Sequence, residues 1–327
     1  MLDTLAAGPE SATVAELTGW PIQRAPLVPG RVSQARILAQ ATLARHRASN
    51  TRLEAMPAVA QELLAYAQQS SISLVDFVAM AQREPAIVGE LVRVANSIMY
   101  RGETTINSVK DAVVRMGFDE AKRVVTAVAS RSLFRARSAK LYSMRPVLWD
   151  ELSHHGLCSA YGAAWLARKL HVGDAGIAFM AGLFHQVGKT LALHVLLPML
   201  GTSEVPFQVD DETCRLVLDL VNDEMGSEQL LFYRMPPEVI GVCLHDPEPE
   251  LPDEPRFALH HVVRLVSALL ELEVRTTEAP HLAARVSRAM SALKLPTEAT
   301  TRLYQEMQAL SDKVAIILDQ PVRPRSH

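Results

Sequence analysis

Aromatic residues make up only 5% of this 327-residue chain, so its apolar content rests on Ala, Leu and Val. Ala and Leu favour helices, and the β-branched residues here recur mostly at helical spacings. Cysteine is scarce as well: Cys158, Cys214 and Cys243 stand far apart with no C-x-x-C pair. That spacing indicates neither a zinc knuckle nor a disulfide framework, and it fits a reducing, cytoplasmic setting. Charge of one sign is not in excess, the formal net charge being -3, so nothing in the total marks a nucleic-acid binder. Long uninterrupted apolar runs are missing too. The most apolar stretch, Ala178 to Leu200, is broken by His185, Gln186, Lys189 and His194 and reads as a buried helix pair, not a membrane span. The opening MLDTLAAGPE carries Asp3 and no basic-then-apolar signal pattern. Neither G-x-S-x-G, nor G-x-x-x-x-G-K-[ST], nor H-E-x-x-H occurs.

What remains is a succession of helices. Residues 1–30 are broken by Pro9, Pro21, Pro26 and Pro29, and Arg31 to His46 then carries Val32, Ala35, Leu38, Ala39 and Leu43 at helical spacing. A helix is expected after Met56. Ser73 with Asp76 and Ser108 with Asp111 are capping-box-like starts, Pro85 opens a helix, and Gly117 stops one, leaving Asp119 to cap the next. Arg137 to Arg145 reads as a basic interruption before Pro146 starts a long helix to about Leu170. Asp174 caps the helix leading to His185, and Pro198 with Gly201 stops the one after it. Asp210 to Asp223, Glu224 to Tyr233 and Val239 to His245 follow. PEPELPDEP, residues 247–255, is an acidic linker or long loop before three C-terminal helices. The expected fold class is an all-α, multi-helix bundle.

The most enzyme-like string is GLFHQVG, Gly182 to Gly188. Imidazole beside carboxylate suits a divalent metal, and in a metal hydrolase an Asp directly after such a His can hold the ion. Here that neighbour is Gln186, which keeps a carbonyl oxygen but no charge. His154 or His155 and His245 are the imidazoles that can converge on His185, with Asp219, Asp223 and Asp246 as candidate acids. A packed or hydrogen-bonded imidazole is the plainest reading, a vestigial or small-ligand pocket the next, and a working metal centre the third. His154 and Cys158 stand four apart, but Cys158 lies inside an apolar helix and reads as a buried thiol, not a nucleophile.

Charge is segregated along the chain. Leu17 to Leu53 holds six Arg and no acid, Ala121 to Trp149 seven Lys or Arg and no acid, and Gly201 to Glu254 fourteen acids against two Arg. Such blocks can orient elements against each other or attract a charged partner, or be ordinary solvated faces. Lys122, Arg123, Arg131, Arg135, Arg137 and Lys140 are the candidate interaction surface, and a protein-facing or solvated role outweighs nucleic acid because no recognition module accompanies them.

Taken in order, MPAV (Met56 to Val59), DF (Asp76, Phe77), EPAIVGELVRVANS (Glu84 to Ser97), TTINSVKDAVVRMG (Thr104 to Gly117), the Trp149 helix with His154, AFMAGLFHQVG (Ala178 to Gly188) and MPPEVIGVCLHD (Met235 to Asp246) resemble the HDOD domain. This is a helical relative of the HD-type metal-dependent phosphohydrolases found in bacterial signalling proteins. The resemblance covers roughly residues 50 to 250 and implies an HD-like bundle. It divides the chain into an N-terminal extension (1–50), the HDOD-like domain (51–250) and a C-terminal helical subdomain (256–320). It also implies a noncatalytic signal-transduction role exerted through a protein partner, as a monomer or homo-oligomer. The alternatives are a metal-dependent phosphohydrolase acting on a nucleotide or cyclic-nucleotide phosphoester, and a ligand sensor keeping a degenerate pocket. His154, His185 and His245 match the family's ligand positions as a remnant, while Gln186 replaces the expected acid and Asn222 an expected His. No cofactor is therefore expected, and a divalent metal belongs only to the hydrolase alternative.

Overall fold

The computed structural model describes residues 30–53, 73–100, 102–200, 202, 205, 207–244, 257–272 and 279–318. Every regular element among these residues is helical. The expected helix after Met56, His245 and the PEPELPDEP segment lie outside them.

Helix α1 (Arg31–Ser49) is followed by α2 (Leu74–Ala81), α3 (Pro85–Ala95), α4 (Val109–Met116) and α5 (Phe118–Ser130). The Ser73 and Ser108 hydroxyls accept from the amides of Asp76 and Asp111, so both expected caps form. Gly117, at φ 85, ends α4, and its carbonyl already receives the Ala121 amide of α5. The helix thus begins one residue before Asp119, whose carboxylate sits in the first turn instead of capping it. Past α5 a 3-10 turn, Arg131–Phe134, leads to α6 (Ala139–Met144). The basic interruption is therefore partly helical, with Ser138 as its cap.

Helix α7 (Pro146–Leu170) is the longest among the described residues and the central one, opened by Pro146 at the position where a missing N–H costs nothing. α8 (Ala175–Phe184), capped by Asp174, packs along it. The chain turns at His185 and Gln186 into α9 (Val187–Leu200), where Pro198 falls inside the last turn without ending the helix. α10 (Asp211–Phe232) is one continuous helix where two were expected, because nothing at Asp223–Glu224 breaks the pattern. α11 (Pro237–Leu244), α12 (Ala258–Glu271), α13 (Ala279–Ala292) and α14 (Ala299–Leu318) complete the order.

The basic α1 lies on the acidic α10. Ala35, Leu38, Ala39 and Thr42 are buried on its inner side. Arg31 pairs with Asp210, Arg47 with Glu224, and His46 and Arg52 with Glu228. At the other end, α12 and α14 pack on α7, and one apolar cluster runs from Ala35 to Ile317. α14 is also tied to the early helices. Arg93 donates to the Ile316 and Ile317 carbonyls, and Lys313 meets Glu120 at 2.8 Å, with the Tyr161 hydroxyl donating to the same carboxylate. Burial pushes the Glu120 carboxyl up, but Lys313 and Arg123 outweigh that and hold it below the usual range.

Candidate functional site

Small residues let the helices carrying the site approach closely. A Cβ on Gly182 would run into the Ser159 carbonyl of α7, and one on Gly188 into the Asn222 carbonyl of α10. The tight α8–α9 turn between these glycines holds His185 and Gln186 in the middle of the bundle, 1% and 6% exposed.

His185 Nδ1 lies 2.7 Å from the Gly182 carbonyl, to which it donates. Its Nε2 then faces the Ser267 hydroxyl of α12 at 3.2 Å. His155 Nε2, from α7, reaches the same hydroxyl at 3.2 Å, and the two rings stand 5.4 Å apart. Beyond Ser267, Glu271 accepts from its hydroxyl at 3.2 Å and from Gln186 Nε2 at 3.0 Å, while Arg285 of α13 stands 3.6 Å from its other oxygen. Asn222 braces the turn in both directions. Its amide donates to the His185 carbonyl at 2.9 Å, and its oxygen accepts from the Lys189 amide at 3.2 Å.

A cavity of about 70 Å³ opens beside this cluster, lined by His154, His155, Gln186, Lys189, Arg215 and Glu271 among others. Its cations are already matched. Lys189 meets Asp219 at 2.6 Å, and Arg215 donates two bonds to Glu151 at 2.9 and 3.0 Å as well as one to Glu212. Burial alone would lower the Arg215 pKa, but these carboxylates raise it. An arriving phosphate would have to displace them.

The candidate imidazoles therefore divide. His185 and His154 belong to the same region, but His154 faces Ser311 of α14 at 2.8 Å, and it is His155 that shares a partner with His185. His245 lies outside the described residues. Among the basic candidates, Lys122 pairs with Asp119, Arg123 with Glu120, and Arg137 donates to the Arg52 carbonyl. Arg135 and Lys140 are exposed, and Arg131 sits in the 3-10 turn. Ser267, Glu271, Arg285 and Ser311 have no motif to announce them. The one available signal is a polar i, i+4 pair, Ser267 and Glu271, inside the apolar pattern of α12.

A metal does not fit this donor set well. Divalent ions in such sites are held by neutral imidazole and carboxylate. The two imidazoles share an alcohol, with the Glu271 carboxylate 3.9 Å from His155 Nε2; the residue after His185 is an amide, and Glu271 already serves Ser267, Gln186 and Arg285. Among the described residues no group of three or more His, Cys, Asp or Glu is placed to hold an ion.

An all-helical bundle with one imidazole at the turn between two central helices, and a second facing it from the long helix, has the architecture of an HD-like domain. The HDOD domain profile matches residues 53–246, and the chain belongs to that family. Solved structures agree on the fold. A "Putative metal-dependent phosphohydrolase" from Shewanella amazonensis SB2B is 21% identical, with a TM-score of 0.59 over 85% of this chain and 99% of that one. A "Putative signal transduction protein" from Marinobacter aquaeolei VT8 is 18% identical, with a TM-score of 0.61 over 89% of this chain and 67% of that one. An "HDOD domain protein with unknown function" from Geobacter sulfurreducens is 16% identical, with a TM-score of 0.58 over 89% and 99%. No curated protein matches the sequence. No helix among the described residues is long and apolar enough to cross a membrane.

Proposed function

We propose that this HDOD chain is a noncatalytic signal-transduction domain that works by binding a protein partner, its HD-type pocket converted into an internal hydrogen-bonded joint. One observation carries the reading: the Ser267 hydroxyl stands 3.2 Å from both imidazole nitrogens, where a hydrolase needs an anionic ligand or an ion. A neutral alcohol neither holds a divalent cation firmly nor lowers the pKa of a bound water. The paired states of Lys189 and Arg215 support the same conclusion, since neither cation is left to steady a phosphoryl group.

The competing reading, metal-dependent phosphoester hydrolysis, draws on the two imidazoles and on the names of two similar folds. Turnover of p-nitrophenyl phosphate and bis(p-nitrophenyl) phosphate by the full chain, after loading with Mn, Fe, Mg or Zn, separates the two. The expected result is no turnover above that of a His185→Ala control and no stoichiometric metal by elemental analysis. Metal-dependent turnover that His185→Ala abolishes would overturn the noncatalytic reading.

A further inference from the structure

A second cleft lies across α7 from the imidazole cavity. Leu148, Glu151, Leu152, His155 and Cys158 line the first space, and Trp149, Asp150, Ser153 and Leu157 line the second, so the N-terminal half of α7 is a wall between them. The second space is the larger, about 360 Å³ against about 70 Å³. The end of α5, the 3-10 turn and α6 form its opposite side.

Its floor is apolar. Phe134, Trp149, Leu157 and Leu183 are each no more than 5% exposed. The polar groups above them are mostly engaged, Ser153 donating to the Phe134 carbonyl and Tyr142 to the Asp150 carboxylate. Such a space, apolar at the bottom with a few polar groups at the mouth, is the usual make-up of a binding pocket.

One cation, Arg135, lines the cleft, and the exposed Lys140 directly follows its lining residue Ala139. Of the basic residues in this region, Lys122, Arg123 and Arg145 are matched by Asp119, Glu120 and Asp211. Arg135 lines the cleft, while Arg137 and Lys140 flank the lining residues Ala136, Ser138 and Ala139. None of Arg135, Arg137 and Lys140 is paired with a carboxylate among the described residues; Arg137 instead donates to a backbone carbonyl.

We propose that this cleft docks a short segment of a partner protein carrying a large apolar side chain flanked by carboxylates. The apolar floor takes the anchor, and the Arg135 guanidinium with the nearby Lys140 ammonium takes the acids, the arrangement of a buried hot spot with charge at its edge. A nucleic-acid strand fits less well, because its backbone carries no large apolar side chain to fill the buried floor of Phe134, Trp149, Leu157 and Leu183. The proposal rests on the partner-binding reading above and names its surface.

The test is panning of the full chain against a display of random 12-residue peptides. Fluorescence anisotropy of an enriched, labelled peptide follows, on wild type, on the double variant Arg135→Glu with Lys140→Glu, on Ala139→Trp, which crowds the mouth, and on Lys110→Glu, an exposed charge reversal on α4. Enriched peptides are expected to combine Asp or Glu with Leu, Phe or Trp. The double reversal and Ala139→Trp are each expected to weaken binding about tenfold, and Lys110→Glu to leave it unchanged. Added salt should weaken it as well. No enrichment, peptides without acids, an affinity that neither cleft variant moves, or tighter binding of a single-stranded oligonucleotide at the same residues would overturn the proposal. Failure here without phosphoester turnover removes only this docking site, whereas turnover removes the noncatalytic reading itself.

Discussion

The Nε2 atom of His185 and the Oγ atom of Ser267 lie 3.2 Å apart, joining the α8–α9 turn to α12 across 82 positions of the chain. The hydroxyl has one hydrogen and three neighbours, His155, His185 and Glu271, so their hydrogen bonds are interdependent. Ser267→Ala removes this shared hydroxyl from the buried His185 and Glu271 and from the part-buried His155. It should destabilise the fold by about 1–3 kcal/mol, read from urea unfolding. A change within experimental error would mean that Ser267 is only a space filler.

The glycines beside the site set helix spacing. A Cβ on Gly188 collides with backbone atoms of α10, the Asn222 carbonyl and the Gly226 amide, which cannot swing aside as a side chain can. Gly188→Ala should therefore cost about 3 kcal/mol or more. Gly89→Ala, where a Cβ meets nothing within 4 Å, should be neutral or stabilising, because Ala favours helix. Thermal unfolding of the two variants makes the comparison.

His194 of α9 packs at a tilt against Trp149, and burial, then the Arg137 charge, lowers its pKa from the ordinary 6.5 to about 4, against a smaller upward pull from the Arg135 main chain. The unfolded chain binds this proton first as pH falls. The contribution to stability is therefore complete above pH 6.5 and is lost progressively down to about pH 4. Its full size is up to about 3 kcal/mol. In His194→Gln the loss of stability between pH 6.5 and 4.5 should be visibly flatter than in wild type, measured by urea unfolding at each pH. An unchanged slope would assign it to other groups.

Helix α1 is held on α10 by ion pairs and by a seam of small side chains, and the two contribute unequally. Glu228 is 39% exposed, so Glu228→Gln should cost about 1 kcal/mol or less even though it serves both His46 and Arg52. Ala39 is only 6% exposed, and Ala39→Asp buries an unmatched carboxylate at a cost of about 2 kcal/mol or more. Hydrogen exchange of the α1 amides should accelerate far more in the second variant.

Local chemistry decided much of this protein in advance. Ser73, Ser108 and Asp174 cap the helices they precede, and Pro146 opens the central helix, because each acts on backbone groups within a turn of itself. The ordered motifs from Met56 to Asp246 identified the family, and Gln186 stood out where the resemblance leads one to expect an acid. Chain-level charge was also legible, but not its pairing. That α1 uses Arg31, His46 and Arg47 against α10 follows only once the two helices lie side by side. His154 and His155 differ by one position, a rotation of about 100° around the helix, and only the packing of α7 shows that His155 meets the Ser267 hydroxyl and His154 the Ser311 hydroxyl. Ser267 and Glu271 were invisible for a related reason. A polar pair four apart shares a helix face, but the pattern does not say what that face meets. The tertiary structure brings them from a C-terminal helix to the imidazoles and sets one hydroxyl between two histidines, because helix packing, not local pattern, chooses which faces meet.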